Sequence, residues 1–219
     1  MSLDLEIARF NMVEQQIRPW EVLDPRVLDA CTNVHRELFV PDGYRNLAFS
    51  DTCIALGHGQ FMMSPKVEGR VLQALAIEPG DRILEIGTGS GFLTALLATL
   101  GAHVTSIEYF DDLAERAKSS LRRAGISNTK LHVGDGLDGW PTAEPYDVIV
   151  ATGSCPARRP SIEQQLSING RLFLVRGIAP VMEAILVTRL AKDTWTTESL
   201  FETELAPLIG AETKAEFEF

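Results

Sequence analysis

The stretch LEIGTGSG, residues 84–91, decides the fold. It continues an apolar strand opening at Arg82 and Ile83, and it packs Gly87, Gly89 and Gly91 into five consecutive positions. Glycines spaced this way let the backbone turn sharply and approach a ligand that any Cβ would hold off. A dinucleotide loop spaces its glycines G-x-G-x-x-G so that pyrophosphate rests on the next helix N-terminus. Here the spacing is G-x-G-x-G, and Glu85 stands two residues before the first glycine. That carboxylate disfavours a diphosphate and suits a cation, such as the ammonium or sulfonium of S-adenosylmethionine. Glu85, Gly87, Thr88, Gly89, Ser90 and Gly91 are therefore assigned to the methionine half of that cofactor.

Working outward, Glu108 closes the apolar run 103–107, about twenty residues on, where a carboxylate can accept both ribose hydroxyls. Tyr109 follows it and is placed on the same cofactor surface. Gly134-Asp135-Gly136 closes the run 130–133 and brings Asp135 and Gly136 to the adenine. Each signal is weak alone; three in order, each ending a predicted strand, point to an adenosylmethionine-dependent methyltransferase. A merely glycine-rich turn and a nicotinamide oxidoreductase are the competing readings of the loop. Ala151-Thr152-Gly153-Ser154 stands where a DPPY-type tetrad is needed for adenine N-methylation, which counts against that reaction.

The periodicity predicts strands near 82–86, 103–107, 130–133, 147–151, 171–175, 184–189 and 199–204, with helices near 90–100, 111–124 and 160–166. Such alternation implies an α/β fold: a Rossmann-like doubly wound sheet of the adenosylmethionine-dependent methyltransferase type, with an N-terminal helical extension. The ends of the first, second and fourth strands then line one crevice. The last two strands lack a helix between them, so at least one runs antiparallel at the sheet edge. Upstream, Leu5, Ile7, Phe10, Val13 and Ile17 recur at helical spacing until Pro19, Asp24-Pro25 opens a second helix, and Ser64-Pro65 a third that ends by Pro79-Gly80. Residues 39–54 read as loop or short strand over the cofactor domain. The expected division is 1–79 as a helical or lid extension packed on the core, 80–209 as the core, and 210–219 as a flexible tail.

With 219 residues and 45% hydrophobic content, the chain can bury one full core. No apolar run suffices to span a bilayer, and the acidic, polar start is unlike a signal peptide, so the expected location is cytoplasmic, without membrane association. Cys31, Cys53 and Cys155 lack metal or CxxC spacing, and the four histidines are scattered, so no metal is expected. A net charge of -10 argues against nucleic acid and favours a protein, peptide or small-molecule acceptor.

Across almost its whole length the chain resembles protein-L-isoaspartate O-methyltransferases. The matching pieces are MVEQQIR (12–18), ELFVP (37–41), LGHGQ (56–60), GDRILEIGTGSGF (80–92), SIE (106–108), VGDGLDGWP (133–141), YDVIVATG (146–153) and GRLFLV (170–175). The GHGQ and GDG-x-x-GWP pieces are the specific ones. The resemblance implies methyl esterification of the side carboxylate of isoaspartyl residues in damaged proteins, with S-adenosylmethionine as donor and S-adenosylhomocysteine as product.

One segment departs from that pattern. After GHGQ the family continues with threonine, an aliphatic residue, serine, a variable residue and proline, whereas this chain reads Phe61-Met62-Met63-Ser64-Pro65. The resemblance thus places the active-site serine at Met63 and the threonine at Phe61. An acceptor carboxylate stripped of its donors pays about 1–3 kcal/mol per unpaired group, which is tenfold or more in activity. Carboxylate attack on a methyl needs no general base, because an acid of pKa near 4 is already ionised at pH 7, and holding the reactants in line supplies most of the catalysis. Ser64 reads as a helix cap, and as the hydroxyl that can replace the lost serine. His58, Gln60, Phe61 and Met62 are assigned to the acceptor pocket, with His58 either a donor or a packed loop residue, and Met62 and Met63 either pocket wall or core filler. Arg158 and Arg159 read as an acceptor lure or as a solvated helix start, and Asp111 and Asp112 as helix capping and complement to the helix dipole, not as ligands. A more apolar acceptor, or a cofactor-binding module without transferase activity, are the alternative functions.

Overall fold

The computed structural model describes residues 2–211. Seven strands form one sheet: β3 (Arg82–Ile86), β4 (His103–Glu108), β5 (Thr129–Val133), β6 (Tyr146–Cys155), β7 (Leu166–Ile178), β8 (Val181–Ala191) and β9 (Thr194–Glu202), in the order β5-β4-β3-β6-β7-β8-β9. The first five in that order are parallel, and β8 and β9 are antiparallel. The chain winds from β3 out to β5, then crosses back to β6 on the other side of β3. That reversal opens a crevice at the carboxyl ends of β3, β4 and β6. Ile149, Val150 and Ala151 of β6 are fully buried, as expected of a parallel strand covered on both faces. The crossover helices α4 (Phe92–Leu100) and α5 (Asp111–Arg123) carry apolar stripes that pack on the sheet.

The N-terminal part contributes α1 (Ser2–Met12), which widens into a π-turn (Val13–Ile17), then α2 (Pro25–Asn33) and α3 (Pro65–Leu75). The Asp24 side chain caps α2 by accepting from the Arg26 amide at 2.8 Å. The periodic apolar stripe of α1 is only half used: Met12, Val13 and Ile17 are buried, whereas Leu5, Ile7 and Phe10 stay exposed, because only the end of this segment meets α3. There the fit is close, since a Cβ on Gly69 of α3 would lie 2.7 Å from Ile17. Side chains from α2, α3, α4 and β3 share one hydrophobic cluster.

Several boundaries differ from the sequence expectation. The stretch before residue 54 forms 3-10 turns, Arg36–Leu38 and Asp42–Leu47, and the strands come later, as the hairpin β1 (Ile54–Gly57) and β2 (Gln60–Met62). His58 and Gly59 make its two-residue turn with φ of 54° and 71°, the positive values such hairpins require. The helix expected over 160–166 is only α6 (Pro160–Glu163), because Leu166 already pairs with Tyr146 in the sheet. The last strand starts at Thr194 rather than near 199; its exposed polar face hid it from a hydrophobic pattern. Of the expected tail 210–219, Gly210 and Ala211 are described and Ala211 is buried, while 212–219 lie outside the described residues.

Candidate functional site

A crevice opens at the switch point, walled by Ile86, Gly87, Gly89, Glu108, Tyr109, Gly134, Asp135 and Gly136, with Gln60 and Phe61 reaching over from the hairpin. The turn after β3 runs Gly87, Gly89 and Gly91 at φ of 97°, 55° and 83°, so L side chains are strained at all three. A Cβ on Gly87 would fall on Thr152 Oγ1, which itself donates to the Gly87 carbonyl at 2.7 Å. Gly91 serves packing rather than the crevice: it starts α4, and a Cβ there would meet Ala117 of α5 at 3.1 Å.

Glu108 ends β4 with its carboxylate clamped by two amides, Gly89 N to Oε2 at 2.8 Å and Phe110 N to Oε1 at 3.0 Å. The second acid, Glu85, is fully buried at the root of the loop. Its Oε2 accepts from Thr94 Oγ1 at 2.5 Å and Ser106 Oγ at 2.6 Å, and Ser106 is itself held at 2.5 Å by Thr88 Oγ1. Its Oε1 has no partner at all. Burial pushes the Glu85 carboxyl up to about 8, despite the two hydroxyls that favour its charged form. An orphaned buried carboxylate oxygen beside a bare glycine turn is what a cationic ligand group fits. On the third strand end, Asp135 Oδ1 accepts from Leu137 N at 2.9 Å, and a Cβ on Gly136 would lie 2.9 Å from Ile86, so this loop lies against the crevice floor.

A second, smaller chamber joins the crevice past Leu56, Phe61, Gly87, Gly89 and Thr152. Met62, Met63, Glu68, Glu85, Thr88, Ser90 and Leu93 complete its wall. Met62 and Met63 are buried and belong to the main core cluster as well, so Phe61, 55% exposed, forms the mouth. Among the predicted acceptor residues, two lie elsewhere. His58 stacks on Phe110 at 4.1 Å between ring centroids and sits 2.9 Å from Asp112, turned away from both cavities, because the hairpin turn carries it over α5. Ser64 is buried at the start of α3 but its side chain makes no cap bond, and it lines neither cavity. Asp111 and Asp112 likewise make no capping bond, lying in the first turn of α5. Arg158 is engaged by both carboxylate oxygens of Glu163 at 2.7 Å, and Arg159 pairs with Asp138 at 2.8 Å. Neither arginine is free to draw in an acceptor.

Residues that the sequence did not single out complete the site. Arg36, fully buried, pairs with Glu68, donates Nη2 to the Met63 carbonyl at 2.7 Å, and lies 4.7 Å over the Phe92 ring. No periodicity or motif links positions 36 and 68. Residues 205–211 fold back over the end of β6, with Ser154 N bonded to Ala206 O and Leu208 N to Ser154 O, each at 2.9 Å, so that Leu208 and Ile209 roof the crevice. Among the described residues no cluster of His, Cys, Asp and Glu is placed to hold a metal, and no helix is long and apolar enough to cross a membrane.

The model of one protein family, described as protein-L-isoaspartate(D-aspartate) O-methyltransferase (PCMT), matches residues 8–212. Protein-L-isoaspartate O-methyltransferase 1 of Rhodopseudomonas palustris (strain HaA2) is 40% identical over 205 residues, covering 93% of this chain and 84% of the relative. The protein-L-isoaspartate O-methyltransferase of Methanoculleus marisnigri is 42% identical over 173 residues, covering 79% and 76% respectively. The fold is shared with the crystal structure from Plasmodium falciparum described as PCMT in complex with S-adenosyl-L-homocysteine, at TM-score 0.76 and 18% identity, covering 90% of this chain and 96% of that one.

Proposed function

The chain belongs to the protein-L-isoaspartate(D-aspartate) O-methyltransferase family, and from that premise we propose how its crevice and chamber divide the work. The protein is an S-adenosylmethionine-dependent methyltransferase that esterifies the side carboxylate of isoaspartyl residues in damaged proteins or peptides. Three features support seating the donor in the crevice, with its amino-acid end reaching past Gly87 and Gly89 into the adjoining chamber. Glu85 Oε1 receives the ammonium, Glu108 the ribose hydroxyls, and the flat loop at Asp135 and Gly136 the adenine, with Gly87, Thr88, Gly89, Ser90 and Tyr109 along its length. When bound, the donor supplies an electrophilic methyl on a sulfonium, and transfer to a carboxylate oxygen leaves a neutral thioether.

The chain's own residues position and desolvate the reactants. The clamp of Glu108 on Gly89 N fixes the loop, Leu208 and Ile209 keep water from the crevice, and the chamber beyond Phe61 takes the acceptor. No base is required for an acceptor already ionised at neutral pH. Met63 presents no hydroxyl to that acceptor, which supports a slower enzyme rather than a different reaction. The observation that carries this reading is the unpartnered Glu85 oxygen on the wall of the chamber that shares Gly87 and Gly89 with the crevice. Its three free thiols support a reducing, cytoplasmic setting. The test is incubation of an isoaspartyl peptide with methyl-labelled donor. Base-releasable labelled methanol, absent with the ordinary aspartyl peptide, is the expected result; none above a heat-inactivated control would overturn the reading.

A further inference from the structure

We propose that Glu68 takes over the role of the missing active-site hydroxyl: in its protonated form it donates a hydrogen bond to the acceptor carboxylate in the chamber behind Phe61. This rests on the isoaspartyl reading given above. Four observations carry it. Glu68 lines the same chamber as Met63 and Glu85, with its side chain 3% exposed. Arg36 holds one of its carboxylate oxygens, Oε2, and among the described residues no donor reaches Oε1. Among the residues that line the chamber there is no lysine, arginine or histidine. The Thr88 hydroxyl is held by Ser106 and that of Thr152 donates to the Gly87 carbonyl, while Ser90 Oγ accepts from the Phe92 amide and lies on the loop assigned to the methyl donor.

An acceptor carboxylate entering this space meets Glu68 as a like charge. Two carboxylates in contact in a poorly solvated site cannot both stay ionised, so they share one proton. With Glu68 carrying it, the buried charges balance, since the guanidinium of Arg36 then offsets the acceptor anion. The free Glu68 oxygen becomes a donor where the family's serine hydroxyl is lost. The groups facing Glu68 are Arg36 from the 3-10 turn, Cys31 from α2 and Glu85 from β3. Burial raises the Glu68 carboxyl to about 7 even beside Arg36, so the proton is available near neutral pH before any acceptor arrives. Cys31, pushed up to about 12 mainly by burial, stays a neutral thiol throughout.

The test is the dissociation constant of an N-acetylated isoaspartyl peptide for the full chain saturated with S-adenosylhomocysteine, measured by calorimetry from about pH 6 to pH 9. The acceptor carboxylate does not titrate in that range. For the native chain the constant should weaken about tenfold per pH unit above the Glu68 pKa, because one proton is taken up on binding. Glu68→Gln keeps a donor without needing a proton, so its constant should be flat with pH and tighter than the native one at pH 9. Glu68→Met should bind weakly at every pH. Holding the product at saturation removes Glu85 from the readout, and a melting curve for each variant identifies loss of fold. A Glu68→Gln protein that folds but keeps the native pH slope, or that binds no better than Glu68→Met, overturns the proposal; absence of methanol release by the native chain instead sinks the isoaspartyl reading on its own.

Discussion

The Gly89 amide donates to Glu108 Oε2 at 2.8 Å, tying the turn after β3 to the end of β4 across nineteen positions of sequence. This bond joins the two halves of the donor site, and the neighbouring Phe110 amide holds the other oxygen at 3.0 Å. Glu108→Ala releases both amides and removes the ribose partner. Hydrogen bonds to a charged group are worth about 1.5–3 kcal/mol, so affinity for S-adenosylhomocysteine should fall roughly tenfold to a hundredfold, read by calorimetry. An unchanged affinity would place the ribose elsewhere.

Glu85 gives a pH signature in the ligand-free protein. Its carboxyl is raised to about 8 by burial, so the folded state binds the proton more tightly than the unfolded chain does. Stability from this group is complete below the unfolded value near 4.5 and is lost as pH climbs through about 8. The melting temperature should therefore decline from about pH 5 to pH 8.5, and Glu85→Gln should decline less steeply; Glu68, shifted the same way to about 7, accounts for the remainder. A melting temperature that rises over this interval would contradict the assignment.

Donor binding should run opposite to that trend. An ammonium beside Glu85 Oε1 favours the ionised carboxylate, so binding at pH 7 expels a proton. Calorimetric heats in two buffers of different ionisation enthalpy measure it. Net release close to one proton is expected for the native chain and close to none for Glu85→Gln.

The acceptor segment yields to reversal. Replacing Met63 by Ser and Phe61 by Thr restores two hydroxyls at the chamber wall and mouth. Relieving one or two unpaired groups, at about 1–3 kcal/mol each, should raise kcat/KM for an isoaspartyl peptide at least about fivefold. A fall would show that the apolar segment serves a different acceptor.

The roof of the crevice is tested through Gly153, where a Cβ would lie 2.8 Å from the Leu208 side chain and 3.0 Å from its amide. Gly153→Ala must displace residues 205–211, and donor affinity should weaken severalfold while the melting temperature changes little. A loss of fold without change in affinity per folded molecule would assign those residues to stability alone.

The parts of the molecule legible in its sequence are those governed by local periodicity and by glycine chemistry. The strands β3, β4 and β5 are short runs bounded by turns, and the acids that end or follow them, Glu85, Glu108 and Asp135, lie around the crevice and its adjoining chamber. Boundaries failed where a distant partner decides them: Leu166 becomes strand because Tyr146 is beside it, and Thr194 because β8 offers an edge. His58 was misplaced for a related reason, since only the hairpin turn shows that its ring lands on Phe110. Arg36 and Glu68 were invisible because they are 32 positions apart and nothing in a linear pattern announces a buried ion pair. Leu208 and Ile209 escaped notice as ordinary apolar residues near the chain end.

The crevice under the Gly87-Gly89 turn and the chamber behind it seat the methyl donor, with Glu85 at its amino-acid end and Glu108 at its ribose. Titration calorimetry of S-adenosylhomocysteine into the native chain and into a Glu85→Gln, Glu108→Ala double variant tests it most directly. One site per chain, with affinity lost or at least about a hundredfold weaker in a variant that still melts cooperatively, is the predicted result. No binding by the native chain, or equal binding by both proteins, would contradict it.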